Sequence, residues 1–263
     1  MGLDLTGRIA LVGGASRGLG RAIAERLAEE GADLVICARG EERLAAAAAE
    51  IRSRTGRNVL AVPADQSRDV DVGRLLDRAR DRFGRIDILV ANTGGPPPGE
   101  FLSHDDATWD AAYRGLLLSV VRLCRGVLPG MLERGWGRIV VNASFTVREP
   151  DPGLVLSNSL RAAAVALAKT LSREVAAAGI TVNAVCPGPF ETERMQRLIA
   201  AQGERARRPP AEVEAEWVSR VPIGRLLRPE ELADVVAFLV SPRAAAITGT
   251  CLPIDGGLLH GLF

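Results

Sequence analysis

A glycine-rich turn set between a strand and a helix restricts this chain to few folds. Val12-Gly13-Gly14-Ala15-Ser16-Arg17-Gly18-Leu19-Gly20 follows the apolar, β-branched run Arg8–Val12 and opens the helical spacing Gly18–Glu30. Glycines at these points let the backbone turn sharply and approach a diphosphate, and the helix N-terminus offers free N–H groups and a positive dipole. Gly14, Ser16, Arg17, Gly18, Leu19 and Gly20 are therefore candidate nucleotide-binding residues.

The rest of the chain repeats the alternation. Strands are predicted at Leu34–Ala38, Val59–Pro63, Ile86–Ala91, Arg138–Asn142, Ile180–Cys186 and Cys251–Ile254. Helices are predicted at Glu41–Arg54, Asp69–Phe83, Leu154–Ala178 and Pro229–Val240, with one long helix from Asp106 to about Met131. Residues 190–220 are charged and broken by proline. This order predicts an α/β, single-domain, doubly wound (Rossmann) parallel sheet of about seven strands with helices on both faces. No linker or repeat divides residues 1–263.

A formal net charge of +1, from 33 basic and 32 acidic residues, argues against nucleic-acid or membrane partners. No run of roughly 18 apolar residues predicts a membrane span, and the N-terminus does not read as a signal peptide. Cys37, Cys124, Cys186 and Cys251 form no CxxC and read as buried thiols of a cytoplasmic protein. With two histidines, no metal site is expected.

Gly14, Gly18 and Gly20 are spaced as in the TGxxxGxG turn of the short-chain dehydrogenase/reductase family, with Gly13 in place of Thr. The resemblance extends over nearly the whole chain. Ile88-Leu89-Val90-Ala91-Asn92-Thr93-Gly94 is similar to the family's strand ending in NNAG, and Gly137-Arg138-Ile139-Val140 begins the strand leading to the family serine, here Ser144. Ile180-Thr181-Val182-Asn183 leads to Pro187, Gly188 and Thr192, like the family's PGxxxT segment, and Thr248-Gly249 with Asp255-Gly256-Gly257 resembles its C-terminal signature. The 3-oxoacyl-carrier-protein reductase type is the most similar branch. The resemblance implies a nicotinamide cofactor, with Asp65 and Gln66 at the adenine edge, Asn92 and Gly94 along its length, and Pro187, Gly188 and Thr192 at the nicotinamide half. It also implies a homotetramer, with a dimer as the alternative, and a substrate lid over 190–220.

The strand ending Ile36-Cys37-Ala38-Arg39 has no acid to bind a ribose 2′-hydroxyl. Arg17 and Arg39 could instead clamp a 2′-phosphate, so NADP(H) is expected over NAD(H).

At the family's catalytic positions the pattern breaks. Ser144 is in place, but the tyrosine position is Ser157, the lysine position is Arg161 and the asparagine position is Leu116. The sole tyrosine, Tyr113, lies about one helical turn before Leu116, and the sole lysine, Lys169, two turns beyond Arg161. Ser157 and Arg161, at i and i+4, should share a helix face near Ser144. Arginine stays protonated, but it can hold ribose hydroxyls or polarise a carbonyl.

Three readings stay open: a reductase of a small-molecule carbonyl or alcohol, carrier-bound or free, with an altered proton source; a non-redox enzyme performing elimination, cyclisation or isomerisation; and a catalytically silent NADP(H)-binding sensor or partner protein. Replacement acids include Glu149 and Asp151, though loop solubility explains both. His104 reads as the start of the long helix. Arg194, Arg197, Arg205, Arg207 and Arg208 could attract an anionic substrate, with a solvated helix pair as the plainer reading.

Overall fold

The computed structural model describes residues 2–262. Seven strands, β1 (Ile9–Gly13), β2 (Asp33–Ala38), β3 (Val59–Pro63), β4 (Ile88–Ala91), β5 (Gly137–Asn142), β6 (Ile180–Pro187) and β7 (Cys251–Ile254), form one parallel sheet in the order β3-β2-β1-β4-β5-β6-β7. This is the doubly wound architecture expected from the sequence. The order reverses between β1 and β4, where such sheets open a crevice at their carboxyl ends.

Both faces of the sheet are covered, so its central strands are apolar on both sides. Ala10 and Val12 of β1 point into a core shared with α1 (Gly18–Glu29), α2 (Glu41–Thr55) and α9 (Pro229–Val240). Ile9 and Leu11 point the opposite way, toward α3 (Asp69–Phe83), α5 (Ser119–Arg134) and α6 (Val155–Val175). Each strand thus anchors two layers, and its carboxyl end is held fixed for the site.

The long helix departs from expectation. It is α4 (Asp106–Tyr113), a π-helical turn over Arg114–Leu118, and α5, with Pro129 inside and the end at Arg134. The wider turn inserts its extra residue around Leu116, and π-bulges often occur at functional sites. The composite helix, Asp106–Arg134, is long and apolar enough to cross a membrane by length and composition alone. Leu123, Cys124, Val127 and Met131 are nevertheless buried against the sheet and α3 side. β4 starts later than predicted. Asp87 precedes it as a buried carboxylate accepting from Ile9 N at 3.0 Å and paired with Arg85 and Arg134.

Residues 190–220, hard to place from sequence, form α7 (Glu193–Ala206) and α8 (Pro210–Arg220). Phe145, Met195, Ile199, Val213, Trp217, Leu226 and Leu258 pack into a separate apolar cluster that seats this pair. Leu262 is exposed, and Phe263 lies outside the described residues.

Helix α9 braces α1, and its first turn is locked electrostatically. Glu231 accepts from Arg225 at 2.9 and 2.6 Å and from Arg228 N at 2.7 Å. The Arg225 guanidinium and then the Arg228 N–H hold its carboxyl down at about 2, against an ordinary value of 4.5. A carboxylate with a depressed folded pKa stabilises the fold above its unfolded pKa and loses that contribution as pH falls through the folded one. Glu231→Gln should lower Tm by roughly 2 °C at pH 7. Thermal scans should show that gap closing between pH 4.5 and 2; a gap independent of pH would contradict the assignment.

Candidate active site

The carboxyl ends of β1, β2, β4, β5 and β6 open into one cavity of about 1240 Å³. Gly14, Ser16, Arg17, Gly18, Leu19, Gly20, Arg39, Asp65, Gln66, Asn92, Gly94, Ser144, Ser157, Arg161, Pro187, Gly188 and Thr192 all line it. Leu116 does too, from the π turn.

A series of side-chain hydrogen bonds crosses the floor. Asn92 Nδ2 donates to Gly13 O at 2.8 Å, Asn142 Nδ2 donates to Asn92 Oδ1 at 2.7 Å, and Arg161 Nη1 donates to Asn142 O at 2.8 Å. Gln66 Nε2 donates to Asn92 O at 3.2 Å. This ties the glycine turn to α6 through the ends of β4 and β5. It also accounts for Gly13 where the family pattern has Thr. A Cβ there would stand 2.4 Å from Asn92 O and 2.7 Å from Gln66 Oε1. At Gly20 a Cβ would stand 2.4 Å from Gly14 O. Among the described residues, Gln66 Oε1 and Asn142 Oδ1 are buried beside the cavity without a protein partner. A bare backbone cradle and orphaned polar atoms along one wall fit a long polar ligand.

At the end nearest α1 and α2, Arg17 and Arg43 both pair with Glu193, the first residue of α7, the Arg43 contact at 3.5 Å. Arg39 lines the cavity beside them. The sequence reading missed Arg43, one turn into α2 from Arg39, and Asn142, which precedes Ser144 by two residues.

At the other end, Ser144 Oγ accepts from Thr146 N at 3.2 Å and Thr146 Oγ1 at 3.0 Å. Both of those donors point at its oxygen, so its own proton is free to face the cavity. Ser157 and Arg161 are buried on the same face of α6. Burial first, then the Arg194 charge, pushes Arg161 down to about 10. It remains cationic at neutral pH.

The other candidates fall outside this group. Tyr113 is exposed and does not line the cavity. Lys169 donates to Gly249 O at 3.1 Å. Glu149 accepts from His260 N at 2.7 Å and Asp151 from Arg220 at 3.2 Å. His104 ends a short 3-10 turn (Phe101–Ser103) ahead of α4. The cysteines also differ from isolated buried thiols. Cys37 and Cys124 are buried, but Cys186 and Cys251, on adjacent strands, bring their sulfurs to 2.9 Å.

A family model described as enoyl-(acyl carrier protein) reductase matches residues 14–259. The 3-oxoacyl-acyl-carrier-protein reductase FabG of Escherichia coli is 35% identical over 256 residues, covering 97% of this chain and 99% of that protein. Among solved structures, L-sorbose reductase from Gluconobacter frateurii, complexed with NADPH and L-sorbose, superimposes with a TM-score of 0.94 at 34% identity, covering 100% of both chains. An actinorhodin polyketide ketoreductase with NADPH gives a TM-score of 0.93 at 35% identity, covering 99% of this chain and 100% of that one. The chain belongs to the short-chain dehydrogenase/reductase family.

Gly13→Thr, which would restore the family's motif residue, should destabilise the protein by about 1–3 kcal/mol through overpacking against Asn92 and Gln66. Urea unfolding reads this directly. A neutral substitution would show that the close approach at Gly13 is not a constraint.

Proposed function

We propose that this protein is an NADP(H)-dependent oxidoreductase interconverting a carbonyl and a secondary alcohol, with Ser144, Ser157 and Arg161 as its catalytic residues. The observation that carries this is the hydrogen-bonded series from the glycine turn to Arg161, which ends in the same cavity as both serine hydroxyls. The kinship with a carrier-protein reductase, a sugar reductase and a polyketide ketoreductase supports the reaction class. The two NADPH-bound neighbours support the cofactor.

The residues present suit that cofactor. Arg17, Arg39 and Arg43 would hold the 2′-phosphate, with Glu193 giving way to it. The glycine turn would hold the diphosphate, and Asp65 and Gln66 the adenine side. Asn92, Gly94, Arg161, Pro187, Gly188 and Thr192 would hold the nicotinamide half. When bound, NADPH supplies a hydride to the carbonyl carbon.

The chain's own groups manage the oxygen. Ser144, oriented by Thr146, donates a hydrogen bond to the carbonyl. The buried Arg161 cation stabilises the negative charge that develops there. A proton from solvent passes by way of Ser157 and completes the alcohol. Ser157 and Arg161 thus stand where the family pattern has Tyr and Lys, and Leu116 where it has Asn. The helices α7 and α8 form the substrate lid of a single domain, and exposed apolar groups such as Leu262 suit assembly into a homotetramer.

Ser144→Ala should lower kcat by about 100-fold while leaving the NADPH Kd unchanged. Unaltered reduction by that variant would remove Ser144 from the mechanism. With no phenol or imidazole in the reacting group, and with Arg161 cationic throughout, kcat/KM should be flat from about pH 6 to 9. A rate-controlling ionisation near neutrality would contradict this arrangement.

A further inference from the structure

The positive charge at the reacting end of the cavity is not balanced. Arg161, Arg194 and Arg197 all line it. Among the described residues, none of the three takes part in an ion pair, and their protein partners are backbone carbonyls: Asn142 O for Arg161 and Pro96 O, at 2.7 Å, for Arg194. The cavity's carboxylates are engaged elsewhere. Asp65 accepts from Ser67 N at 3.0 Å, Asp105 caps α4 through Thr108 N at 2.9 Å, and Glu193 pairs with Arg17 and Arg43.

Arg194 is also seated rather than loose. A Cβ on Gly95 would stand 2.7 Å from its Nε, so glycine there makes room for the guanidinium. The cations disfavour one another. Burial and then Arg197 lower the pKa of Arg194, and Arg194 contributes in turn to the lowering at Arg161. Arg161 is buried and Arg194 half-buried, while Arg197 is exposed beside them; such desolvated cations without acids are costly unless an anion completes the set.

We infer that Arg194 and Arg197 bind a carboxylate on the substrate, so that the protein acts on oxo acids in preference to neutral ketones or esters. This rests on the reductase reading and specifies its substrate class. The cofactor diphosphate is the other possible source of an anion, but its place is the N-terminus of α1. Thr192 approaches Gly18 there, its Cγ2 3.5 Å from where a Cβ would stand. Arg194 instead faces the loop after β4 and shares its field with Arg161. Met195, Leu198, Phe145 and Trp217 line the same stretch of wall, so the oxo acid would carry an apolar body.

The test compares 2-oxo-4-phenylbutanoate and 3-oxohexanoate with their methyl esters, following NADPH oxidation by the wild-type protein and by Arg194→Gln and Arg197→Gln. At least one acid should exceed its ester in kcat/KM by roughly 10–100-fold, the worth of a charge-assisted hydrogen bond. Either substitution should reduce that ratio to a few-fold with the NADPH Kd unchanged. Equal use of acids and esters by the wild type would overturn the inference while leaving the reductase standing. So would weakened NADPH binding in Arg194→Gln with the ratio intact, since the guanidinium would then serve the diphosphate. If no probe is reduced, the reductase reading fails, and thermal shifts of the NADPH complex decide the anion site. A rise in Tm with the acids alone, absent in Arg194→Gln, would support it; no rise, or an equal rise with the esters, would refute it.

Discussion

The side-chain amide of Asn92 sits where four parts of the molecule meet. It donates to the last carbonyl of β1 and accepts from Asn142 at the end of β5, while its backbone carbonyl accepts from Gln66. Where parallel strands end, their polar groups lose the ladder and need other partners, because unpaired buried amides are costly. In this chain the partners are side chains, and the series reaches α6 when Arg161 donates to the Asn142 carbonyl. The glycine turn is thereby tied to Arg161 on α6. The cost is tight packing, seen at Gly13 and Gly20, where a methyl group would collide with backbone or amide atoms.

Charge is distributed along the cavity with equal consequence. At the α1 and α2 end, Arg17 and Arg43 share the Glu193 carboxylate, so the first residue of α7 answers the cations that under the proposed function would receive a phosphate. At the α6 end, Arg161 and Arg194 bond, among the described residues, to backbone carbonyls alone. In the proposed mechanism a buried cation stands in for the family's phenol, because it lowers the energy of an oxyanion without having to give up a proton. Leu116, in the π turn, adds an apolar surface to the cavity wall.

Much of this architecture was legible because it is local. The bounds of β3, α3, α9 and β7 follow from short apolar runs, helical spacing and flanking Gly or Pro, and they agree with the structure. The glycine turn was readable for the same reason. The π turn was not, since apolar spacing before and after Leu116 is helical whichever carbonyl each N–H chooses. The pair α7 and α8 was obscured because a few apolar contacts, such as Met195, Ile199 and Trp217, are scattered among arginines and glutamates. The hydrogen-bonded series joins residues as much as 79 positions apart, and no pattern in the sequence marks Asn142 as its middle member. Tyr113, a nearby phenol by sequence, is carried to the outside by the helix it belongs to.

The account depends on hydride transfer in a cavity without a tyrosine. Reduction of an aryl ketone or an apolar oxo acid with C4-deuterated NADPH, followed by mass spectrometry of the alcohol, tests this most directly. One deuterium at the carbinol carbon, transferred by the wild-type protein and sharply diminished in Arg161→Gln, is the predicted result. Tight NADPH binding with no labelled alcohol from any carbonyl would contradict it, and would leave a protein that holds the cofactor for another purpose.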